Sequence, residues 1–592
     1  MRRSELIILA AILLLGIALR GLYLSEIARS PDFSYPGIDA HYHDYWARGL
    51  VTGEWSATTP YTDPLIQSKP FFRAPGYPYF LALVYKLSGG SYLVIRIVQM
   101  LLGLLGVFIA FAIGRRWFGN TVALVFAGLM SVYWVFIYYE GELLEPALLN
   151  PLGLVLIYAL GLWAEKITWK RAIVAGVLLG LFALVRQNIL PFAVVALGWA
   201  YFILRERKET RKFRIAAIGL IVGAAAMILP ATARNLVVGH DAVLISSSGG
   251  VNLYIGNNEM ADGYTSVAPG FPRWTSHDYP RIVEALGNSV GRELSYSQAS
   301  RLFTQAAVGW MKAHPGKAVH LTIRKAILFW GPLEVSNEKE DEFERRHYTA
   351  LHLIPINFAL ALSLALLGTL LCFTGAGRPQ EKKEEEASDA QYRVFILVLL
   401  FVLTYFLTYL PFFAAGRFRV PVIPSMLLLA ACAIERLGRM IACGDVRGIL
   451  YWGFFWIVSY GLAASNFTNY QPAADRWHFA RGTAYSTVGK YDIAEKEYQK
   501  ALELNSQSAD AHAGLAVVLR AQGKLDDSIR EFREAIRISP TLAQAHANLA
   551  VALYFKKDYA GAWKEVRLSR GGGIEPPAGF LEELAKEMPE PE

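Results

Sequence analysis

Cysteine is nearly absent. The 592 residues contain three, Cys372, Cys432 and Cys443, inside or beside apolar runs and without ligand spacing. That excludes a disulfide framework and a thiolate metal site. Charge is scarce too, at 18% of residues, less than soluble domains carry. The N-terminus, MRRSELIILAAILLLGIALRGLYL, is basic and then apolar, but no convincing cleavage site follows. It reads as a retained first span rather than a removed signal peptide. The net charge of +8 is no nucleic-acid signal, because Lys and Arg cluster in short loops between apolar runs.

What is abundant is apolar: 54% of residues are hydrophobic and 13% aromatic. Runs of the length that crosses a bilayer lie near 5–25, 92–114, 121–139, 143–163, 171–186, 189–204, 214–231, 350–373, 394–412, 418–435 and 448–465. The expected fold is all-α: a polytopic transmembrane helix bundle of about 11 spans. Residues 76–89 could add a further or re-entrant helix.

Alternating spans put Arg2/Arg3, Arg115/Arg116, Lys166–Arg171, Arg205–Arg214, Arg378–Arg393 and Arg436–Arg447 on one side, the cytoplasm. The outer side then receives loops 28–90 and 232–349, the turns at Tyr139–Glu142, Arg186–Asn188 and Arg417–Arg419, and the tail. Asp39, Arg73, Glu140, Glu142, Arg186, Asn188, Arg234, Asn235, Arg417 and Arg419 all gather at that face. Ionisable groups at membrane depth are costly and usually face a cavity. Several elements converging on one leaflet predict one site.

The first outer loop is the densest. In IDAHYHDYWARGL, Asp39 can accept a proton from a hydroxyl, hold a metal, or cap a helix beginning near Ala40. His41 and His43 could ligate a metal jointly only if the segment is extended, since i and i+2 diverge on a helix. Arg73, among Pro and aromatic residues in PFFRAPGYPYF, suits a phosphate or an interfacial anchor. LVRQNILPF, ATARNLVVG and GRFRVPVIP repeat an Arg at the outer end of a span beside a helix-breaking Pro. Three such residues run against the positive-inside bias, so an anion outside, such as a lipid-linked phosphate, is expected. YYEGELLEP offers Glu140 and Glu142 as a second carboxylate, and Glu145 needs a partner. In SSSGGVNLYIGNNEMADGY, Gly249, Gly250, Gly256, Asn257 and Asn258 suggest tight turns, and amides with aromatics also suit sugars.

From Pro472 the sequence changes character. His478, His512 and His546 recur every 34 residues, as do Tyr491, Leu525 and Tyr559. This period, with Ala494, Ala501 and Ala535, resembles tetratricopeptide repeats, stacked helix pairs forming an α-solenoid. The histidines are expected to pack rather than bind metal. The domains are then 1–470 in the membrane, 471–573 as repeats, and 574–592 as a short cap and frayed tail.

Residues 1–465 resemble the GT-C glycosyltransferase superfamily, most nearly the branch with protein O-mannosyltransferases and the lipid A aminoarabinose transferase. The resemblance rests on the acidic loop around Asp39, RAPGYPYFLALVYKLSG, LVRQN, ARNLVVG, SSSGGVNLYIGNN and RFRVPVIP. It implies a sugar donor linked to polyprenyl phosphate, inversion at the anomeric carbon, and Asp39 acting on the acceptor nucleophile. It also implies a donor phosphate held by Arg73, Arg186, Arg234 and Arg417, with Asn188 and Arg419 beside them. Where the commonest pattern has Glu after the Asp, Ala40 stands here, so a second acidic group must come from Asp44, Glu140 or Glu142. Dependence on a divalent metal ion stays open. The acceptor is a protein, lipid or glycan outside the cytoplasmic membrane, and the repeats offer a site for a protein partner. Soluble nucleotide-sugar enzymes carry a Rossmann-like sheet, of which there is no sign. The rival readings are a membrane scaffold for polysaccharide assembly or export, and a transporter of anionic lipid. A transporter places its polar groups near the midplane, and here they lie at outer ends.

Overall fold

The computed structural model describes residues 2–55, 63, 65–269, 279–336, 339–376 and 385–591. Arg378, at the start of one predicted basic cluster, lies outside them. The chain divides into two compact units, residues Met1–Ala28 with Pro36–Tyr470, and residues Arg29–Tyr35 with Gln471–Glu592.

The first unit begins with α1 (Arg3–Ile27), α2 (Ile38–Thr52), α3 (Gly76–Ser88), α4 (Tyr92–Ile113), α5 (Asn120–Val132) and α6 (Trp134–Gly141). It continues with α7 (Pro146–Glu165), α8 (Trp169–Val185), α9 (Leu190–Glu206) and α10 (Phe213–Val237). Between α10 and the next apolar helix come α11 (Gly249–Gly256), α12 (Tyr279–Ser289), α13 (Tyr296–Ala313), α14 (Pro315–Trp330), α15 (Asp341–His347) and α16 (Thr349–His352). The unit closes with α17 (Phe358–Thr374), α18 (Glu385–Tyr409), α19 (Gly416–Arg419), α20 (Ile423–Ala442) and α21 (Val446–Ala464).

Helices occupy most of each of the eleven predicted apolar segments, although 350–373 is interrupted at 353–357 and 121–139 at Tyr133. Among the described residues, seven stretches are long and apolar enough to cross a membrane, in α1, α4, α7, α9, α10, α18 and α19–α20. The pair α5–α6, bent by 47° at Tyr133, makes an eighth if it acts as one span. α8 and α17 have 17 residues each, roughly 25 Å at ~1.5 Å per residue, which is shorter than a ~30 Å hydrocarbon core. Large apolar side chains stand outward on the unit, among them Ile7, Leu14, Ile218, Leu450 and Phe454, a surface suited to lipid.

Helix starts follow local chemistry. Ser91 and Asn357 accept backbone N–H groups of Val94 and Leu360 at 3.3 and 2.9 Å, capping α4 and α17. α8 and α10 cross through small residues: Gly176 lies against Gly223, Gly180 against Ala224 and Gly219 against Ala172, and a Cβ at Gly176 or Gly223 would overlap the carbonyl of Leu220 or Ile173. Such backbone contact is how helices associate where burial from water gives no drive. Deeper in the bundle Arg20 and Glu140 form a two-pronged pair at 2.6 and 2.8 Å. Gly103 makes room for it, since any side chain there would occupy the Glu140 carboxylate position.

The second unit stacks α22 (Ala474–Thr487), α23 (Tyr491–Leu504), α24 (Ala509–Ala521), α25 (Leu525–Ile538), α26 (Ala543–Phe555) and α27 (Tyr559–Gly571). The 34-residue histidines repeat one contact. His478, His512 and His546 place Nδ1 at 2.7, 2.6 and 2.5 Å from the carboxylates of Glu497, Glu531 and Glu565, each on the following helix. The end expected to fray is helical instead. α28 (Ala578–Glu587) buries Leu584, and Trp563 donates its indole N–H to the Met588 carbonyl at 2.8 Å.

Candidate functional site

Asp39 sits in the first turn of α2, two residues past the cap position, Gly37. Its carboxylate oxygens go to two guanidiniums: Arg73 Nη2 lies 2.6 Å from Oδ1 and Arg417 Nη2 2.6 Å from Oδ2. The carboxylate is 5% exposed, so the pairing is not the weak, screened kind found at surfaces.

Rigid backbone aims each arginine. The segment before Arg73 is stitched down on three sides. Phe71 N–H donates to Asn235 Oδ1 at 2.9 Å, and the N–H groups of Ser247 and Ser248 donate to the carbonyls of Phe71 and Phe72 at 2.9 and 3.1 Å. Phe72 stacks on Tyr279 with centroids 4.1 Å apart, and the Arg73 guanidinium lies over the Tyr42 ring at 5.0 Å. Arg417 is the second residue of the short helix α19, with Pro421 and Pro424 following it.

Beside this cluster Arg186 pairs with Glu145, and its guanidinium lies over the Phe418 ring at 4.7 Å. Glu145 holds the cap position of α7, just before Pro146. Burial pushes its carboxyl up, but Arg186 and then Arg417 outweigh that and hold it well below the usual range, as the anion. His43 Nε2 stands 3.6 Å from Glu145 Oε2. These groups open on a cavity of about 280 Å³ lined by Asp39, His43, Arg73, Glu145, Arg186, Asn188 and Arg417, with Ser246, Ser248 and Asn252 on another wall. Three cations, two anions and an imidazole thus meet one polar hollow of ligand size.

Other expected site residues have different work. Asp44 receives Arg48 Nε at 3.0 Å and the hydroxyls of Tyr85 and Tyr92 at 2.7 and 2.8 Å, and ties α2 to α3 and α4. Glu142 pairs with Lys339 at 2.9 Å in a separate, small hollow that Arg417 also touches. Glu140 belongs to Arg20. Arg234 donates to the carbonyls of Lys69 and Ile66 and lies 4.3 Å over Phe71, so it supports the loop that carries Arg73. Arg419 is saturated by Glu334 at 2.8 Å and by the carbonyls of Phe329, Gly331 and Leu333. Asn188 donates to the Thr408 carbonyl at 3.3 Å and lines the cavity.

The predicted glycine turns are corrected: Gly249–Gly256 is the helix α11. Gly250 and Gly256 serve close approach, because a Cβ at Gly250 would overlap the Ser300 carbonyl and one at Gly256 would come within 2.8 Å of Phe412 backbone. The amides of Asn257 and Asn258 bind backbone carbonyls, at 2.6 Å to Pro411 and 2.9 Å to Tyr254. Sequence reasoning underused Glu145 and His43. The signal for His43 was its spacing of four from Asp39, which puts both on one helical face. No cluster of three metal-ligating side chains occurs among the described residues. Because α2 is helical, His41 and His43 diverge.

Residues 69–233 match the dolichyl-phosphate-mannose-protein mannosyltransferase family, and residues 479–543 match the tetratricopeptide repeat. No curated protein matches the chain in sequence. The Archaeoglobus fulgidus oligosaccharyltransferase, in complex with Zn and sulfate, is 13% identical, with TM-score 0.40 over 82% of this chain and 56% of that one. The chain thus spans little more than half of that enzyme. ArnT from Cupriavidus metallidurans, bound to undecaprenyl phosphate, is 12% identical, with TM-score 0.39 over 92% and 81%. YrrB, a tetratricopeptide protein with an unusual peptide-binding site, is 15% identical, with TM-score 0.17 over 38% and 91%. The chain is a multi-pass membrane protein in which residues 69–233 match a mannosyltransferase family and the C-terminal helices form tetratricopeptide repeats.

Proposed function

We propose that this multi-pass membrane protein is a glycosyltransferase that moves a sugar, with inversion, from a polyprenyl-phosphate-linked donor to a hydroxyl or amine on a protein, lipid or glycan. The observation that carries the reading is the convergence of Arg73, Arg186 and Arg417 on one cavity at the ends of apolar helices. A donor phosphate gains charge as its bond to the sugar breaks, and fixed guanidiniums stabilise that charge without reorganising. Asp39 holds two of the three in place and meets the acceptor nucleophile, whose approach to the anomeric carbon needs a carboxylate near the developing positive charge.

The site belongs to the outer face of the cytoplasmic membrane, where polar groups oppose the basic loops. The tail leaves from that face as well: Tyr470 is 5% exposed, and its hydroxyl accepts the Ser336 N–H at 2.9 Å within the 232–349 segment. The repeats then recruit or orient the acceptor in that compartment, adding effective concentration but no chemical group. The test is mass spectrometry of surface glycans, lipids and glycoproteins from cells with and without the protein. A glycosylated species that vanishes on deletion supports the reading, and three unchanged inventories overturn it.

A further inference from the structure

The cavity has two unlike walls. One carries the charge: among the described residues that line it, Asp39 and Glu145 are the carboxylates and Arg73, Arg186 and Arg417 the guanidiniums. Both carboxylates are already held, Asp39 by Arg73 and Arg417 and Glu145 by Arg186. Burial lowers the His43 imidazole from its ordinary 6.5, so it is neutral at pH 7. The hollow therefore has one positive charge more than it has negative ones.

The other wall is neutral. Gln187 follows Arg186 directly, Ser246 and Ser248 lead into α11, and Asn252 lies on α11 itself. Gly249, Asn252 and Ile255 line the cavity at a spacing of three, so one face of α11 fronts it. The helix is fixed from behind by the packing of Gly250 on the Ser300 backbone. It is tied to the loop of Arg73 by the Ser248 N–H, which donates to the Phe72 carbonyl at 3.1 Å. Ser246 Oγ donates to Gln187 Oε1 at 3.0 Å. Ser248 holds the cap position of α11, yet its hydroxyl does not cap the helix, the use a serine there ordinarily has. Ser248 Oγ, Gln187 Nε2 and both polar atoms of the Asn252 amide have no partner among the described residues, and none of them is a buried atom. They are open to the hollow and available to a ligand.

We infer that Gln187, Ser248 and Asn252 read the sugar of the donor, and that this sugar is uncharged. The inference rests on the proposed transferase reading and adds the class of donor. A sugar joined to a lipid through one phosphate is a diester with a single negative charge, which matches the single excess positive charge of the cavity. An ammonium on the sugar would meet no carboxylate free of arginine. A carboxylate on the sugar would compete with the phosphate for the same guanidiniums. Either charge would be enclosed without a partner of its own, which is the costly case. Hydroxyl and acetamido groups both donate and accept, as do the amides and hydroxyls of the neutral wall, so they pair there without charge. Phe412 and Phe413 add apolar surface for the C–H face of the ring. The branch that the sequence resembles holds mannosyl and aminoarabinose transferases alike, so the resemblance leaves the charge of the sugar open and the cavity decides it.

The test is binding of synthetic sugar diesters of undecaprenyl phosphate to the purified full chain in nanodiscs. The sugars are a neutral hexose, its aminodeoxy form and its uronic acid, each in gluco, manno and galacto configuration, and bare undecaprenyl phosphate is the reference. The best neutral diester should bind about 10-fold or more tighter than any charged one. Asn252→Ala should cost that diester about 10-fold and leave undecaprenyl phosphate where it was. Asn252→Asp, which sets a carboxylate in the neutral wall at nearly the same volume, should move the ratio of aminodeoxy to neutral affinity about 10-fold toward the aminodeoxy sugar. A charged diester that equals the best neutral one on the wild-type chain overturns the assignment, and that comparison holds even if a variant folds poorly. An unmoved ratio in folded Asn252→Asp, or an equal loss of undecaprenyl phosphate in folded Asn252→Ala, overturns it as well. A wild-type chain that binds no lipid phosphate at all overturns the transferase reading instead.

Discussion

Arg73 and Arg417 share the two oxygens of Asp39 at the same distance, 2.6 Å. On the proposed reading, a donor phosphate arriving in the cavity competes with that carboxylate for both guanidiniums. Asp39→Asn removes the competitor while keeping its volume. It should bind undecaprenyl phosphate at least as tightly as wild type, yet lose transfer by about 100-fold or more. Weaker binding, or turnover above a tenth of wild type, would show that Asp39 is neither competitor nor participant.

Arginine replacements should sort by partner. Arg73→Ala, Arg186→Ala and Arg417→Ala each remove a charge-assisted contact, about 1.5–3 kcal/mol or some 10- to 150-fold in undecaprenyl phosphate affinity. Lys should rescue only in part, lacking the planar fork. Arg234→Ala and Arg419→Ala remove carbonyl-saturated staples, so thermal stability should fall in both. Titration of all five variants with the lipid checks the division, and equal losses across the set would erase it.

The α8–α10 crossing has no room for side chains. Gly223→Leu forces a side chain into the Ile173 carbonyl, and overpacking of this kind costs about 1–3 kcal/mol or more. A lowered melting temperature in detergent is expected. Gly198→Leu, where nothing lies within 4 Å of an added Cβ, should leave it unmoved.

Lys325 is 2% exposed, with Nζ donating to Asn257 Oδ1 at 3.2 Å. Burial lowers it from 10.5 to about 8. Between those values the unfolded chain keeps the proton that the folded chain has released, so stability should rise with pH from about 8 to 10.5. Below about 8 both states are protonated and the lysine costs on the order of 3 kcal/mol. Lys325→Met should therefore raise the melting temperature at pH 7 and flatten its rise at alkaline pH. A wild-type melting temperature indifferent to pH above 8 would refute this.

Removal of the repeats should separate donor chemistry from acceptor delivery, provided the cut spares Tyr470. A chain ending at Pro472 should bind undecaprenyl phosphate and glycosylate a small acceptor analogue, but modify the natural macromolecule poorly. A cut after Ser465 also removes the Tyr470 anchor on Ser336 and should lower stability. Full modification of the macromolecule by the Pro472 chain would leave the repeats without a recruiting role.

Much of this architecture was legible because it depends on patterns along the chain. Apolar length marked the long helices of the bundle but not α2 or α11–α15, which lie in the predicted loops, and a 34-residue step marked the repeats. Charge of the unexpected sign at span ends drew attention to Arg73, Arg186 and Arg417. What the pattern could not give was partnership. Arg186 and Arg234 share a sequence design, yet one faces Glu145 in the cavity and the other braces the carbonyls of Lys69 and Ile66. Glu140 and Glu145 are five residues apart, and the bend through Gly141 and Glu142 sends them to different neighbours. Gly250 looked like a turn residue because glycine tolerates both turns and close approach, and only the Ser300 backbone against α11 decides between them.

The pairing of Asp39 with Arg417 spans 378 positions, and that separation has a meaning for biosynthesis. At roughly 5–20 residues per second, the second arginine leaves the ribosome about 20–75 s after the carboxylate it must meet. Through that interval Asp39 and Arg73 are already made, with one ion pair where the finished site has two. On the proposed reading a nascent chain consumes no donor lipid before α19 arrives, and premature termination ahead of Arg417 is expected to yield an inert membrane protein rather than a partly active one.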